Sequence, residues 1–303
     1  MRVVKRTHLI VNDFSSHARA LRAHIDVRFA DPRSATGDRF VWDYWHIPGQ
    51  YTHLRTPAYL YFPERLYASF HRDLVQWGRR TLGCHDVSPT WLSAYVDGCR
   101  QELHGDLPHG PFAFVFSLTP WKNRVFRGGE TLIVQDDVLD YWSSFTSVRS
   151  VEEPDILHAI EPRFNRLTVF DPRVPHGVRR VEGTHDPREG RMVLHGWFVQ
   201  PRPFIEGPLS RSALQARVEE LLAKLPSLLG HLEPVGVLSV RLDVDPDGTV
   251  RAVRVLCDTL RVARSEQVAL AAFTRGVLRS LRAVRFPKTK MPSRVTLPLV
   301  FER

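Results

Sequence analysis

The chain has 303 residues, of which 43% are hydrophobic and 25% are charged, and it carries a formal charge of +9 at pH 7. These proportions are those of an ordinary soluble globular protein, long enough for one large and one small domain. No apolar run approaches the roughly 20 residues of a membrane-spanning helix, which excludes such a helix, and we expect no membrane partner.

Residues 1–84 combine helix and strand signals, and we expect them to support a larger domain. Residues 14–22 fit a short helix. The apolar side chains of residues 63–82 recur at helical spacing and predict a longer one. Between the two helices, residues 42–62 are rich in aromatic side chains but are interrupted by proline and glycine, so we predict a loop there.

Residues 85–203 have the pattern of a β domain. Short segments rich in β-branched, aromatic and aliphatic residues alternate with turns. These segments are residues 91–96, 112–118, 131–134, 166–170 and 191–199. Many short strands with little helix predict a mainly β fold, a double-stranded β-helix of the jelly-roll kind. We therefore expect one domain over residues 1–203, with a jelly-roll core and N-terminal helical and loop support.

The rest of the chain predicts a helical linker and a small second domain. Residues 204–230 carry an apolar stripe at helical spacing, with Ser212 as the N-terminal cap and Gly230 as the end of the helix. Residues 231–303 then predict an α+β domain in which a β-hairpin with an Asp-Gly turn precedes a helix and a last strand. The four segments, in the order β-β-α-β, are residues 235–244, 249–256, 265–281 and 294–301.

The cysteines and the N-terminus bear on the compartment. Cys84, Cys99 and Cys257 are odd in number and widely spaced, and they form no C-x-x-C pair. This pattern argues against a zinc site and favours a reducing environment. The first residues become polar again at Asn12 and contain no long apolar core, unlike a signal peptide. We therefore expect a cytoplasmic protein.

The positive charge is concentrated near the end of the chain. Residues 231–303 hold 13 Lys and Arg against 7 Asp and Glu, a balance of +6 within the total of +9. A basic surface attracts nucleic acid or acidic partners, but no nucleic-acid-binding motif accompanies this one. We interpret the excess as solvated surface and do not expect a nucleic-acid partner.

His104, Asp106 and His176 carry the clearest chemistry. On a strand, His104 and Asp106 would share a face, and Gly105 between them lets the backbone pass close to a metal. His176 follows Asp106 by 70 residues and can join the pair only through the fold. Two imidazoles and one carboxylate form the facial triad that holds non-haem Fe(II) and leaves three positions open.

Arg191 lies 15 residues after His176, at the start of a predicted strand. A guanidinium can bind a carboxylate through two parallel hydrogen bonds. A metal triad followed by such an arginine resembles the active site of a 2-oxoglutarate-dependent oxygenase.

Two other patterns are interpreted as structural. His71 and Asp73 also stand two residues apart, but in a helix such positions diverge. Residues 243–254 begin like an EF-hand calcium loop, yet the twelfth position is Arg254 where that loop needs a bidentate glutamate.

The ordered set of motifs resembles the 2-oxoglutarate and Fe(II)-dependent oxygenase superfamily, and within it the prolyl 4-hydroxylase-like branch. The resemblance covers roughly residues 85–200 and rests on the order of the motifs rather than on any single one. The matching residues are Tyr95, Gly98, His104, Asp106, Gly128, Gly129, Glu130, Thr131, Leu132, Phe170, His176, Gly177, Val178, Arg191 and Trp197.

This resemblance implies that His104, Asp106 and His176 are the iron ligands and that Arg191 binds the distal carboxylate of 2-oxoglutarate. It also implies O₂ as a co-substrate, succinate and CO₂ as products, and ascorbate as an aid to turnover. Related halogenases lack the carboxylate that Asp106 supplies, so the resemblance favours hydroxylation, with desaturation or cyclisation left open.

The resemblance also assigns Tyr95 and leaves one hydrogen bond to the co-substrate without a donor. Tyr95 resembles a tyrosine that hydrogen-bonds the co-substrate, the alternative being a packed strand aromatic. The family often has a hydroxyl residue two positions after the arginine, where this chain has Val193. Thr168 is our candidate for the hydrogen bond that Val193 cannot supply. The basic residues 121–127 either line the mouth of the barrel or form a solvated loop.

The substrate is inferred by analogy alone. The nearest branch acts on peptidyl groups, so we expect hydroxylation of an amino-acid side chain in a peptide, protein or amino-acid-derived substrate. The alternatives are a small-molecule natural-product hydroxylase or desaturase, a non-enzymatic binding module and, third in order, a nucleic-acid demethylase or hydroxylase.

Residues 236–255 and 285–287 resemble TonB C-terminal-like domains. Such domains bind partners through a strand edge, so the resemblance implies that residues 231–303 bind a partner or the substrate. Arg275, Arg279 and Arg282 fall on one face of the predicted helix there, where they either dock an acidic peptide or are solvated.

Overall fold

The computed structural model describes residues 8–31, 41–106, 109–135, 138 and 156–302. Within these residues the chain divides into two compact units. The first contains residues 8–75 and 87–199, and the second contains residues 76–86 and 200–302. Strands predominate among the described residues, in agreement with the predicted mainly β class.

The first unit is built on a large antiparallel sheet. The order of its strands is β1-β10-β7-β12-β5-β3-β6-β11-β8-β9, and β2 pairs with β3. The bounds are β1 His8–Val11, β2 Asp43–Ile47, β3 Tyr51–Pro57, β5 Trp91–Tyr95, β6 Arg100–His104, β7 Phe112–Ser117, β8 Thr131–Val134, β9 Leu157–Ile160, β10 Leu167–Phe170, β11 His176–Val178 and β12 Arg191–Pro201, while β4 is Cys84–Val87. This curled sheet is the predicted jelly-roll core.

The strand order explains how residues distant in the sequence become neighbours. Strand β6 lies beside β11, and β5 lies between β3 and β12. Hydrophobic alternation fixes which face each strand turns inward, since a slip of one residue would expose every apolar side chain. Phe112, Phe114 and Phe116 of β7 are all fully buried, as this period of two requires.

Three helices accompany this sheet in sequence: α1 (Ala18–Arg28), α2 (Ala58–Tyr61) and α3 (Glu64–Thr81). The spacing predicted α3 correctly, and its Phe70 ring packs 4.8 Å from the ring of Phe116. Helix α1 begins four residues later than predicted. The backbone amides of Phe14 and Ser15 are bound by the carbonyl and side chain of Asn165, which holds this segment outside the helix.

The predicted loop at residues 42–62 is wrong. Strands β2 and β3 form a hairpin there, and α2 follows. Pro48 and Gly49, read as breakers, occupy the turn, where Gly49 has φ +74°, a conformation that suits glycine. Pro57 is the last residue of β3, a position where a missing N–H disturbs the ladder little.

The second unit contains a four-stranded antiparallel sheet in the order β13-β16-β14-β15. Its elements are β13 Phe204–Glu206, α4 Arg211–Leu229, β14 Gly236–Val244, β15 Val250–Asp258, α5 Gln267–Ala283 and β16 Ser293–Phe301. The order β14-β15-α5-β16 has the predicted β-β-α-β pattern. Residues 204–206, which we assigned to the helical linker, form strand β13, and this strand pairs with β16.

The details of this unit correct one expectation and agree with another. Helix α4 is capped by Ser210, whose Oγ accepts a hydrogen bond from the amide of Ala213 at 3.2 Å, and not by Ser212. The calcium-like segment is a hairpin turn whose carboxylates are already paired. Asp243 lies 2.8 Å from Arg254, and Asp245 lies 3.5 Å from Arg251. The relation to TonB C-terminal-like domains stays a prediction.

Candidate metal centre and adjoining cavity

The fold brings His104, Asp106 and His176 together. His104 is the last residue of β6 and His176 the first residue of β11, and the two face each other in the antiparallel register. Asp106 follows β6 by two residues, where its amide donates to the carbonyl of Pro172. One ligand atom from each of the three lies within 4.8 Å of the others, and no other such group exists among the described residues.

Both imidazoles turn the same nitrogen toward the carboxylate. The Nε2 atoms of His104 and His176 lie 3.4 Å from Oδ1 and Oδ2 of Asp106, respectively. The two imidazole rings lie 4.5 Å apart, centroid to centroid. Two nitrogens and a carboxylate oxygen converging from three sides fit the donor set preferred by a non-haem Fe(II) ion.

Surrounding groups fix the orientation of these ligands. Nδ1 of His104 donates to the carbonyl of Glu102 at 2.8 Å, and Nδ1 of His176 donates to the carbonyl of Val174 at 2.9 Å. Because a carbonyl only accepts, Nδ1 carries the proton, and Nε2 is the atom left for a metal. The indole Nε1 of Trp197 donates to Oδ2 of Asp106 at 3.1 Å.

The electrostatics of the triad favour a cation at its centre. Burial alone would raise the pKa of Asp106, but hydrogen bonds from His104 and His176 outweigh it and hold that pKa well below its ordinary value. Burial lowers the pKa of His104, yet hydrogen bonds to Asp106 and to the Glu102 carbonyl raise it overall. A bound metal would replace these hydrogen bonds, because it would take the same Nε2 and carboxylate oxygen atoms.

Arg191 is the most deeply buried cation near the triad, with 1% of its surface exposed. Its Nη2 donates to Oγ1 of Thr131 at 3.2 Å, and its guanidinium carbon lies 4.6 Å from the centre of the Tyr95 ring. Nε and Nη1 have no hydrogen-bond partner among the described residues. A buried charge with unsatisfied donors is costly, so this geometry fits a bound carboxylate.

A cavity of about 470 Å³ joins the triad to Arg191. Tyr95 lines it, is buried, and donates from its hydroxyl to Oε1 of Gln101 over a long 3.4 Å. The Gln101 amide in turn lies 3.1 Å from Nε2 of His104. Tyr95 is thus packed in the wall of the cavity and also connected to the triad.

Thr168 does not line this cavity. It is a buried residue of β10, whereas Thr131 of β8 lies in the cavity wall and contacts Arg191. The sequence hinted at Thr131 only through its place in the Gly-Gly-Glu-Thr motif, one of the motifs that carry the family resemblance. Val193 lines the cavity but offers no hydrogen-bonding group.

Two histidines in the cavity wall, the buried His53 and the half-buried His195, were missed from the sequence. Burial is the main cause that lowers the pKa of His53 to about 4, and the positive charges of Arg55 and Arg191 lower it further. Burial is also the main cause that lowers the pKa of His195 to about 3, and the charges of His53 and Arg191 act in the same direction. The alternation of β12, which puts residues 191, 193 and 195 on one face, was the signal for His195. His53 gave no signal, because its strand was not predicted.

The other candidates lie elsewhere. The basic residues Lys122, Arg124 and Arg127 are not in the cavity wall, and Arg124 instead stacks on Trp121 at 3.8 Å. His71 and Asp73 lie within helix α3, as expected, and Asp73 is 3.7 Å from His17. None of the described helices is long and apolar enough to cross a membrane.

Comparison with protein families gives a match for the central part of the chain. Residues 90–199 match the family model described as the 2OG-Fe(II) oxygenase superfamily. This segment contains the triad, Arg191 and most of the cavity wall. No curated protein matches the chain.

Several solved structures are similar to part of this chain. A prolyl-4-hydroxylase from Pseudomonas putida is 19% identical with a TM-score of 0.40, over 64% of this chain and 92% of that one. A Trichoplax adhaerens prolyl hydroxylase, solved with a hypoxia inducible factor peptide, is 13% identical with a TM-score of 0.42, over 63% and 83%. HygX from Streptomyces hygroscopicus, solved with nickel, 2-oxoglutarate and hygromycin B, is 14% identical with a TM-score of 0.40, over 63% and 81%.

Proposed function

We propose, on the premise that residues 90–199 place this chain in the 2OG-Fe(II) oxygenase superfamily, that it hydroxylates an amino-acid side chain in a peptide, protein or amino-acid-derived substrate. The protein is a dioxygenase that uses Fe(II) and 2-oxoglutarate. In the proposed reaction, one atom of O₂ enters the substrate as a hydroxyl group, and the other enters 2-oxoglutarate, which becomes succinate and CO₂.

The assignment of the site residues rests on one observation above all. A complete triad of His104, Asp106 and His176 shares a cavity with Arg191, a buried arginine that has two unsatisfied donors. The triad supplies the donor set of a non-haem Fe(II) site, and the arginine supplies the counter-charge for a dicarboxylate. We assign the iron to the first and the distal carboxylate of 2-oxoglutarate to the second.

When bound, Fe(II) and 2-oxoglutarate supply the oxidising chemistry, and the protein supplies position and electrostatics. Arg191 fixes the co-substrate at its distal end, and Thr131 orients the guanidinium through the hydrogen bond at 3.2 Å. The ring of Tyr95 packs beneath the same guanidinium and closes that end of the cavity to water.

The opening of the cavity supports a substrate larger than the reacting group itself. Leu103 and His109 both line the cavity, and both are exposed at the surface, Leu103 to 46%. A side chain of a larger molecule would reach the triad past these two residues. The ring of His109 stacks on Trp197 at 4.5 Å, beside the indole that binds Asp106.

The test is anaerobic addition of Fe(II) and 2-oxoglutarate to the apoprotein, followed by visible spectroscopy. We expect an iron-to-oxoglutarate charge-transfer band. The band should be absent in His176→Ala and should need at least about 100-fold more 2-oxoglutarate in Arg191→Ala, because two charged hydrogen bonds are lost. His71→Ala, which alters the other H-x-D pair, is the matched control and should give the wild-type band. Absence of the band from the wild type would contradict the proposal.

A further inference from the structure

Arg55 is a second cation in the cavity wall, and the proposed co-substrate site does not use it. It belongs to β3 and lies opposite Ser93 of β5, while Arg191 lies opposite Tyr95, two residues further along the same strand. Strand spacing and rise put the two arginine Cα atoms about 12 Å apart, across β5. The cavity therefore has two separate guanidinium groups in one wall.

The guanidinium of Arg55 is held by two indole rings. Its central carbon lies 3.2 Å from the centre of the Trp45 ring and 4.1 Å from that of the Trp91 ring. With both rings stacked on it, the group has only its in-plane N–H edge left for a ligand. This edge matches a planar carboxylate, which accepts two parallel hydrogen bonds.

Arg55 has no ion-pair partner within 4 Å among the described residues, and its buried Nε has no hydrogen-bond acceptor there. Burial lowers its pKa, while the nearby Tyr51, Asp43 and Tyr95 act in the opposite direction. Asp43 faces Arg55 across the β2–β3 hairpin without forming an ion pair. The buried Nε–H is costly to leave without an acceptor, and a ligand at the open edge of the guanidinium would supply one.

The other charged groups of the cavity leave this cation uncompensated. Two carboxylates line the cavity. Asp106 faces the triad histidines, and Glu102 pairs with Arg100 at 2.6 Å. Of the two carboxylates of 2-oxoglutarate, the distal one is assigned to Arg191, and the other is left for the metal. Neither carboxylate of the co-substrate therefore pairs with Arg55, and its charge is available to bind a different anion.

We infer that Arg55, held between Trp45 and Trp91, binds a carboxylate of the substrate. This inference rests on the proposed function and deepens it, because it narrows the substrate class to molecules with a free carboxylate, such as an amino-acid derivative or the C-terminus of a peptide. Arg55 would then fix the distance between that carboxylate and the carbon that is oxidised.

The probes for the test are a panel of N-acetyl-L-amino acids with a free carboxylate and the matched primary amides. Each is titrated anaerobically into the protein loaded with Fe(II) and 2-oxoglutarate, and the shift of the charge-transfer band reports binding. We expect at least one carboxylate to bind about 10- to 100-fold more tightly than its amide, because a bidentate charged contact is lost in the amide.

Three variants separate the explanations. Arg55→Met keeps an unbranched side chain between the indoles and should abolish the preference for the carboxylate. Arg55→Lys should keep part of it, because the charge remains but the planar fork is lost. Arg180→Met removes an exposed arginine outside the cavity, which lies 3.6 Å from Glu182, and should behave as the wild type.

Several outcomes overturn the inference while the proposed function stands. They are equal binding of acids and amides, a band that no carboxylate shifts, and an undiminished preference in Arg55→Met. A loss of 2-oxoglutarate affinity in Arg55→Met as large as that in an Arg191 variant also overturns it, since Arg55 would then belong to the co-substrate site. Absence of the band from the wild type would contradict the proposed function instead.

Discussion

The indole Nε1 of Trp197 donates a hydrogen bond to Oδ2 of Asp106 at 3.1 Å, and Oδ2 is the oxygen that faces His176. The bond joins β12, which also carries Arg191, to the carboxylate of the triad. Outer hydrogen bonds of this kind orient metal ligands, and their loss commonly weakens metal binding by about 10- to 100-fold.

We therefore expect Trp197→Phe to lower the affinity for Fe(II) about 10- to 100-fold and to leave the fold intact, because the ring volume is largely kept. Metal affinity is measured by anaerobic titration, and folding by urea denaturation. Trp121→Phe is the matched control, since Trp121 is a buried indole outside the cavity wall. Equal metal affinities in the two variants would show that the indole does not support the triad.

The two threonines near the co-substrate pocket are predicted to differ. Thr131→Val removes the acceptor of Arg191 Nη2, so we expect 2-oxoglutarate affinity to fall about 3- to 10-fold, the effect of one hydrogen bond. Thr168→Val changes a buried threonine outside the cavity wall and should leave that affinity unchanged. Titration of the charge-transfer band measures both. A larger effect in Thr168→Val than in Thr131→Val would indicate that Thr168, and not Thr131, supports co-substrate binding.

His53 and His195 of the cavity wall predict a dependence of stability on pH. The pKa values of His53 and His195, about 4 and about 3, lie below the ordinary value of 6.5. The unfolded chain therefore takes up these protons first, and the free energy of unfolding falls as the pH decreases from about 6.5 towards 4. Each histidine should cost on the order of 2 kcal/mol between pH 6.5 and pH 5.

Urea denaturation of the apoprotein at several pH values measures this slope. His53→Gln and His195→Gln should each reduce it, because glutamine takes up no proton in this range. His46→Gln alters an exposed histidine of the same hairpin and serves as the control. A slope that persists in the double variant His53→Gln/His195→Gln would assign the acid sensitivity to other groups.

Two glycines beside the triad are predicted to respond differently to alanine. A Cβ at Gly177 would lie 2.5 Å from the carbonyl oxygen of Gln101, so strand β11 must move away from β6 and carry His176 with it. We expect Gly177→Ala to lower the free energy of unfolding by about 1–3 kcal/mol, as overpacking commonly does. The charge-transfer band should weaken in parallel.

Gly105→Ala provides the comparison. A Cβ there would meet its nearest neighbour, the carbonyl oxygen of Arg173, at an ordinary 3.5 Å. We expect near wild-type stability and metal binding from this variant, although Gly105 lies between two triad residues. Urea denaturation and the band measure both glycine variants, and equal effects would contradict the steric argument.

The sequence alone determined the class of the fold and the candidate residues of the metal triad. Local patterns carry this information, because strand alternation, turn residues and helical spacing act over a few residues. Helix α3, five strands of the jelly-roll core (β5, β7, β8, β10 and β12) and the order β-β-α-β were predictable for this reason. His104, Asp106, His176 and Arg191 were recognisable by chemical type and order.

Only the tertiary structure decided which polar residues join them. Thr131 rather than Thr168 contacts Arg191, because Thr131 of β8 lines the cavity and Thr168 of β10 does not. The β2–β3 hairpin was missed because its aromatic residues alternate weakly between inside and outside, so pairing with β5 and β6 fixes it more than its own pattern does. His53 and Arg55 enter the cavity on that hairpin. Contacts between strands distant in sequence leave no local periodicity, so neither residue could be found before the fold was known.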